Sequence, residues 1–447
     1  MNTSFRAYSS AFWRPIRVAF RSFIRNPQAV LPLAACPTPK SDRLLGLSLV
    51  AIGVLFGATG GVTHAQAPIR VGASASLSGQ YAELGNTIHR GHQLCVKQVN
   101  ARGGVLGRQV QLIVEDDQSQ AAAAVTIYER LISQEKVDLV FSPYSSPITE
   151  AVANVTEKHR RPMVAAGAAT TSIFKKGRKY IFMLLSPAAV YLEGLVDTAA
   201  KRGLKTIAVL YEDTLFPKAI ALGAVEIAKK RGMQAVVVEA YPKETKDFSA
   251  ILNKVKASNP DVVAAATYFD DSIAVIRQMK TAGLNPRMHA VTVGGDLPKF
   301  HEVLGRDAEF VYGASQWLPE LVTLRAGGLI PIARQYPGAR EFTEDYAKEF
   351  PGADLSYQTA QGFAACQILL DAVRRAGSLD PDNIRDAILK FEGNTVYGAF
   401  KVDADGFQVT HKMVMFQWQD GKKAIVWPEE LAVDRPRFPT PPWSQRK

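Results

Sequence analysis

The sequence predicts an α/β protein built as two Rossmann-like lobes with parallel sheets, and three observations carry that prediction. The block Ile69–Gln120 reads as strand, glycine-broken turn, long amphipathic helix, GG-x-x-G turn, second strand and acidic turn, which is a βαβ unit. Runs such as TIAVLY, AVVVEA and DVVAAATY are almost continuously apolar, as parallel strands covered on both faces must be. Finally, the strand–helix alternation occurs as two successive series, one from Ile69 and another from about Lys205. A chain of 447 residues is long for one average domain and fits this division.

The first series places strands at Ile69–Ala75, Val110–Glu115, Asp138–Ser142, Met163–Ala166 and Tyr180–Leu185. Helical periodicity falls between them at Asn86–Ala101, Ser119–Glu135 and Pro147–His159. In the first helix Ile88, Gly91, Cys95 and Val99 share one face at amphipathic spacing. The second series gives strands Thr206–Tyr211, Ala235–Ala240, Asp261–Tyr268 and His289–Val293, alternating with helices Pro217–Arg231, Phe248–Ser258 and Ser272–Ala282. A helix-rich remainder (Ala339–Phe350, Tyr357–Ala376, Pro381–Phe391) precedes strand-like runs at Ala399–Val402 and Met413–Gln419. It is too short to build a third lobe and is expected to complete the first two. The Pro-rich end, Arg435–Trp443, reads as a wrapping or loose tail.

Charge is unevenly spread. Residues 1–65 carry seven Lys or Arg against Asp42 alone, a net +6, which leaves +5 of the total +11 for the rest of the chain. That remainder is scattered over surface helices, whereas a nucleic-acid footprint clusters in one patch, so no nucleic-acid partner is expected. Leu44–Ala58 is apolar, follows Lys40 and Arg43, and ends near Thr63-His64-Ala65. This pattern predicts a signal peptide over residues 44–65 cleaved after Ala65, a stretch shorter than a membrane span needs. Residues 1–40 are Arg-rich and aromatic, consistent with a start placed too far upstream. Of the three cysteines, Cys95 and Cys366 lie beyond the leader, both in apolar helical stripes. An oxidising compartment permits their pairing; burial in separate stripes favours two free thiols.

Catalytic signatures are absent: the chain has no GxSxG elbow, P-loop or HExxH. The seven histidines are not paired at metal spacing, and His89 and His92 read as solvent-facing. No enzyme activity, cofactor or metal is expected. Binding is better represented. Asp138–Ser142 runs into Pro143-Tyr144-Ser145-Ser146-Pro147, with Pro147 in a first helical turn and Ser146 as its cap. Met163–Ala166 runs into Gly167-Ala168-Ala169-Thr170-Thr171. Ligands of open α/β sheets sit beyond the carboxyl ends of the strands, and two hydroxyl-bearing turns side by side there make a carboxylate cradle. The plainer reading is that Ser145 and Thr170 only cap helices. Asp116 and Asp117 read as caps for the helix from Ser119, and Trp317 and Trp418 as packing residues.

LSG at Leu77–Gly79, NARGG at Asn100–Gly104, EDDQS at Glu115–Ser119 and GAATTS at Gly167–Ser172 follow one another at set intervals. Together they resemble the periplasmic solute-binding proteins of the branched-chain amino acid and amide class of ABC importers, from Ile69 to about Gln419. The resemblance implies the type I periplasmic binding fold, with two lobes joined by a three-crossover hinge. Lobe one would hold residues 66–187 plus 316–398 and lobe two 188–315 plus 399–447, with crossings near Leu185–Ala188, Ser315–Pro319 and Tyr397–Lys401. A ligand α-carboxylate would be held by Ser145, the Ala168 backbone and Thr170. Its ammonium would be met by Asp296, and Tyr268 would close the site from the second lobe. Phe216 stands where a hydroxylated aromatic is common, and Leu84 where an aromatic often sits. These departures weaken leucine-type specificity and leave an amino acid, an amide or a small aromatic acid as ligand. The same resemblance implies a periplasmic monomer that binds a small molecule and serves an ABC permease with its ATPase subunits. A ligand-sensing module on this fold is the alternative.

Overall fold

The computed structural model describes residues 66–323 and 332–446. The predicted leader, including Leu44–Ala58 and the cleavage point after Ala65, lies outside the described residues. No helix among the described residues is long and apolar enough to cross a membrane.

The first lobe is assembled from β1 (Ile69–Ala75), α1 (Ala82–Ala101), β2 (Val110–Asp116), α2 (Ala121–Ser133), β3 (Leu139–Val140), α3 (Ser146–Lys158), β4 (Met163–Ala165), α4 (Thr171–Phe174) and β5 (Ile181–Met183). Its strands are parallel, in the order β2-β1-β3, and a parallel bridge from Tyr144 to Gly167 continues toward the β4-β5 pair. The second lobe contains α5 (Glu193–Lys201), β6 (Thr206–Glu212), α6 (Leu215–Lys230), β7 (Gln234–Tyr241), α7 (Ser249–Ser258), β8 (Val262–Ala266), α8 (Phe269–Thr281), β9 (Met288–Val291), α9 (Pro298–Leu304) and β10 (Tyr312–Ser315). The chain then forms α10 (Glu320–Thr323), α11 (Ile332–Gln335), α12 (Ala339–Glu349), α13 (Tyr357–Ala376), α14 (Pro381–Leu389), β11 (Gly393–Thr395) and β12 (Gly398–Phe400). It ends in β13 (Val414–Gln419) and β14 (Lys422–Trp427), which complete a seven-stranded sheet ordered β14-β13-β10-β9-β8-β6-β7. β13 runs antiparallel to both β10 and β14, whereas β10 back to β7 are parallel. All five residues of β8 are buried, as its unbroken apolar run requires.

Helices α1 and α13 meet at backbone contact. A Cβ on Gly91 would lie 2.2 Å from the Thr359 carbonyl, and one on Gly362 would lie 2.3 Å from that of Ile88. This approach brings Cys95 and Cys366 to a Cα separation of 6.3 Å, within bonding range, and they form a disulfide. The expectation of two free thiols is therefore corrected. The two apolar stripes face each other, a relation that a separation of 271 residues conceals in the sequence. His92 is a second correction: it is buried and stacked on Phe141 at 4.4 Å, and burial pushes its imidazole down to about 3.

The crossings between lobes converge on three residues. Ser186 N donates to Gln316 Oε1 (2.7 Å), Ser186 Oγ donates to the His411 carbonyl (3.1 Å), and His411 Nε2 meets the Gln316 carbonyl (3.1 Å). Residues 399–408, around the crossing expected at Tyr397–Lys401, stay bonded to the end of β5. Gly406 O accepts from Met183 N at 2.8 Å and Gln408 Nε2 donates to the Leu184 carbonyl at 3.1 Å. The Pro-rich tail wraps the second lobe: Arg437 N donates to Gln417 Oε1, Thr440 N to the Arg287 carbonyl, and Trp443 Nε1 to the Leu284 carbonyl.

Candidate functional site

The loop after β3 and the loop after β4 lie side by side at the carboxyl ends of their strands. Ser142 Oγ accepts from Ala166 N (2.8 Å) and Ser146 Oγ from Ala169 N (3.2 Å), which locks the two turns together. Ser145, and not Ser146, caps α3; it adopts φ 78° and its Oγ accepts from Ile148 N at a long 3.5 Å. The positive φ turns the peptide before the helix and places Ser145 on the cleft between the lobes. Thr170 lies at the start of α4, and its buried Oγ1 has no hydrogen-bond partner among the described residues.

A cavity opens where these turns face the second lobe, lined by Tyr144, Ser145, Gly167, Phe216, Tyr268 and Tyr357, with Gln361 and aliphatic neighbours. Aromatic rings from both lobes fill most of it. Tyr81 packs on Tyr144 (5.7 Å between centroids) and on Tyr268 (4.9 Å), and Phe216 packs on Tyr191 (5.1 Å) and Tyr268 (6.0 Å). The space left has room for little more than a water molecule. Burial pushes the Tyr144, Tyr268 and Tyr357 phenols well up, so each presents an intact O–H. The Tyr268 hydroxyl and Gln361 Oε1 are buried without a partner of hydrogen-bond geometry, although the Tyr81 hydroxyl is close enough to act on Tyr268.

The lobes also touch at the rim of the cleft. Gln80 Nε2 donates to Glu212 Oε2 at 2.8 Å, and Lys299 pairs with Glu83 at 2.7 Å. Glu212 is buried, and its charge helps raise the neighbouring Asp271 carboxyl, which burial above all pushes up to about 7.

Of the seven residues expected at the site, three line this cavity and two more adjoin lining residues in sequence. Ser145, Tyr268 and Phe216 line it, and Thr170 follows directly on the lining residue Ala169. Ala168 is buried within the second turn between the lining residues Gly167 and Ala169, whereas Leu84 packs in the core from the first turn of α1. Asp296 is fully buried but is not a lining residue. Lys423 Nζ donates to its carbonyl (2.7 Å) and pairs with its Oδ1 (3.4 Å), while Tyr357 N approaches Oδ2 at 3.5 Å. Burial pushes this carboxyl up and the charge of Glu320 adds to that, with Lys423 pulling it down. Asp296 does not cap α9, whose N-cap is Leu297. Asp116 and Asp117 do not cap α2 either. Asp116 accepts from Leu77 N and Ser78 Oγ, and Asp117 from Ser74 Oγ and Ser76 Oγ, so they hold the LSG turn onto its neighbour. The sequence reading missed Tyr144, Tyr191, Tyr357 and Gln361; only Tyr144, inside the PYSSP turn, carries a local signal. Trp317 packs on Phe342 and Trp418 on Phe300, as expected.

Two α/β lobes joined by three crossings, with an aromatic and hydroxyl-lined cleft between them, define a bilobal solute receptor. A family model for periplasmic binding proteins matches residues 68–423, and the chain belongs to that family. This is a family of solute-binding proteins, not of enzymes. The chain is 27% identical over 415 residues to Leu/Ile/Val-binding protein homolog 7 of Brucella suis, covering 89% of this chain and 99% of that protein. Homolog 8 of Brucella melitensis is 28% identical over 417 residues, with the same coverage. Among solved structures, the branched-chain amino acid transporter substrate binding protein LivJ of Streptococcus pneumoniae, in complex with isoleucine, superposes with a TM-score of 0.71. It is 22% identical and covers 81% of this chain and 100% of its own. A solute binding protein of R. palustris in complex with benzoate gives a TM-score of 0.69 at 18% identity, covering 80% and 95%. At these identities the likeness is one of fold.

Proposed function

We propose that this chain is an exported substrate-binding protein that captures a small carboxylate-bearing ligand by lobe closure and delivers it to an ABC importer. The observation that carries the reading is the pairing of the Ser145 and Gly167–Thr170 turns at the cleft, opposite Tyr268 and Phe216. Ser145, Thr170 and the backbone around Ala168 hold the carboxylate, aided by the N-terminus of α3, where backbone N–H groups favour an anion. Tyr268 and Phe216 cover the ligand body from the second lobe. The Cys95–Cys366 disulfide suits an oxidising compartment such as the periplasm.

Thermal-shift screening against amino acids, 2-oxo acids, amides and aromatic acids tests the reading. A ligand at 100 times its Kd adds about 2.7 kcal/mol to stability. Ser145→Ala combined with Thr170→Val is expected to weaken any carboxylate ligand at least about tenfold, the loss of one charge-assisted hydrogen bond or more. Undiminished affinity in the double variant places the carboxylate elsewhere.

A further inference from the structure

Tyr144, Tyr191, Phe216, Tyr268 and Tyr357 line the cleft cavity, and Tyr81 packs on two of them. The planes of these rings are steeply inclined: 76° between Tyr81 and Tyr144, 55° between Tyr81 and Tyr268, and 84° between Tyr191 and Phe216. Phe216 and Tyr268 come closest to parallel, at 37°. Parallel rings suit a flat aromatic guest, whereas rings set at such angles form the walls of a box around a compact one. Tyr81 of the first lobe meets Tyr268 of the second, so parting the lobes opens the box. The Tyr81 ring already attracts a cation, with Lys243 Nζ 5.4 Å from its centroid.

A carboxylate stands behind the rings. Glu212, at the end of β6, is fully buried, and it accepts from Gln80 Nε2 and Thr214 Oγ1, both neutral. Among the described residues it forms no ion pair. Burial pushes the Tyr81, Tyr144 and Tyr268 phenols up, and the charge of Glu212 adds to this in each, so its field reaches the rings. A buried carboxylate without a cation is costly, and a cation held between the rings offsets that cost. The kind of cation follows from the walls. A primary ammonium brings three N–H donors that each need an acceptor, whereas a trimethylammonium brings none and is matched by ring faces.

We propose that the cleft takes betaines, short carboxylates bearing a fully alkylated ammonium, with the cationic head held in the box of rings and balanced by Glu212. This inference rests on the reading of Ser145 and the Gly167–Thr170 turn as the carboxylate cradle. Glu212 is then a specificity-determining residue that acts through its field, from behind the rings and without touching the head.

Isosteric ligands test this by titration calorimetry on the processed protein. Glycine betaine is matched with 3,3-dimethylbutanoate, which has its shape without its positive charge, and with glycine, which carries a primary ammonium. On a longer chain, 4-(trimethylammonio)butanoate is matched in the same way with 5,5-dimethylhexanoate and 4-aminobutanoate. The better-bound betaine is expected to bind at least about tenfold more tightly than either of its partners, a difference of about 1.4 kcal/mol. A carbon isostere or a primary amine that binds as well as its betaine overturns the inference and leaves the carboxylate cradle standing. Failure of all six to bind also overturns it; the cradle falls as well only when no carboxylate raises the melting temperature in the wider screen. Glu212→Gln keeps the shape of the side chain and is expected to weaken the betaine at least about fivefold, with the carbon isostere held within about twofold. An equal loss for both ligands makes Glu212 a structural residue and overturns its role. Should that variant fail to fold, Phe216→Leu provides the second arm, since it removes a ring and keeps an apolar side chain. It is expected to weaken the betaine more than its isostere, and a betaine that binds it undiminished overturns the box.

Discussion

Asp271 shows how one burial changes what a side chain does. It lies in the first turn of α8, accepts from the Tyr241 hydroxyl at 3.1 Å, and feels the charge of Glu212. Its folded carboxyl keeps the proton up to about pH 7, whereas an unfolded aspartate releases it near 3.8. Between those values the folded state binds the extra proton, so this group's contribution to stability falls as the pH rises through the window. Asp271→Asn is expected to remove that fall, and its stability advantage over the wild type should grow from pH 5 to pH 8. Thermal melts of both proteins across that range check this; a constant difference refutes it. Single residues were legible in the sequence only where a turn exposes them. Ser145 and Thr170 stand out because their hydroxyls follow strand ends. Lys423 does not, since nothing near a QDGKK hairpin signals that its second lysine turns inward to Asp296.

The helix pair α1 and α13 is the element on which the first lobe depends. Its glycines, Gly91 and Gly362, leave no space for a methyl group against the opposing backbone. Gly91→Ala is expected to destabilise the protein by about 1–3 kcal/mol, the usual cost of overpacking, read by urea denaturation. Removing the disulfide with Cys95→Ser and Cys366→Ser is expected to cost about 2–5 kcal/mol. Unchanged denaturation midpoints in either variant contradict the packing described. Elements of this kind were the most legible part of the chain. The strand Ile69–Ala75 and the helix Tyr357–Ala376 fall where their periodicity puts them. Partnerships between elements were less so. The hairpin of residues 398–408 belongs to the first lobe through backbone hydrogen bonds to Met183 and Leu184, and such bonds leave no mark on side-chain pattern.

In the molecule as a whole, the lobes meet across the cleft at the Tyr81–Tyr268 ring contact, with Gln80–Glu212 and Lys299–Glu83 at the rim. Small-angle scattering is expected to show a larger radius of gyration without ligand than with it, as hinge motion about Ser186, Gln316 and His411 opens and closes the lobes. An unchanged radius argues against closure as the capture step. The bilobal architecture was legible because two series of apolar strands repeat in order. The cleft lining was legible only in part, because Tyr144, Tyr191 and Tyr357 come from three separate stretches of chain that only the folded structure brings together.

The bond between Cys95 and Cys366 also sets an order of events. A chain that emerges from its N-terminus presents Cys95 while Cys366 is still 271 residues away, with strands β6 to β10 of the second lobe in between. The first lobe begins early and cannot be sealed until almost the last helix arrives. During that interval Cys95 is an unpaired thiol open to any oxidant or wrong partner. Production in a reducing compartment leaves the seal unmade, and the choice of expression route then decides which form of the protein an experiment measures.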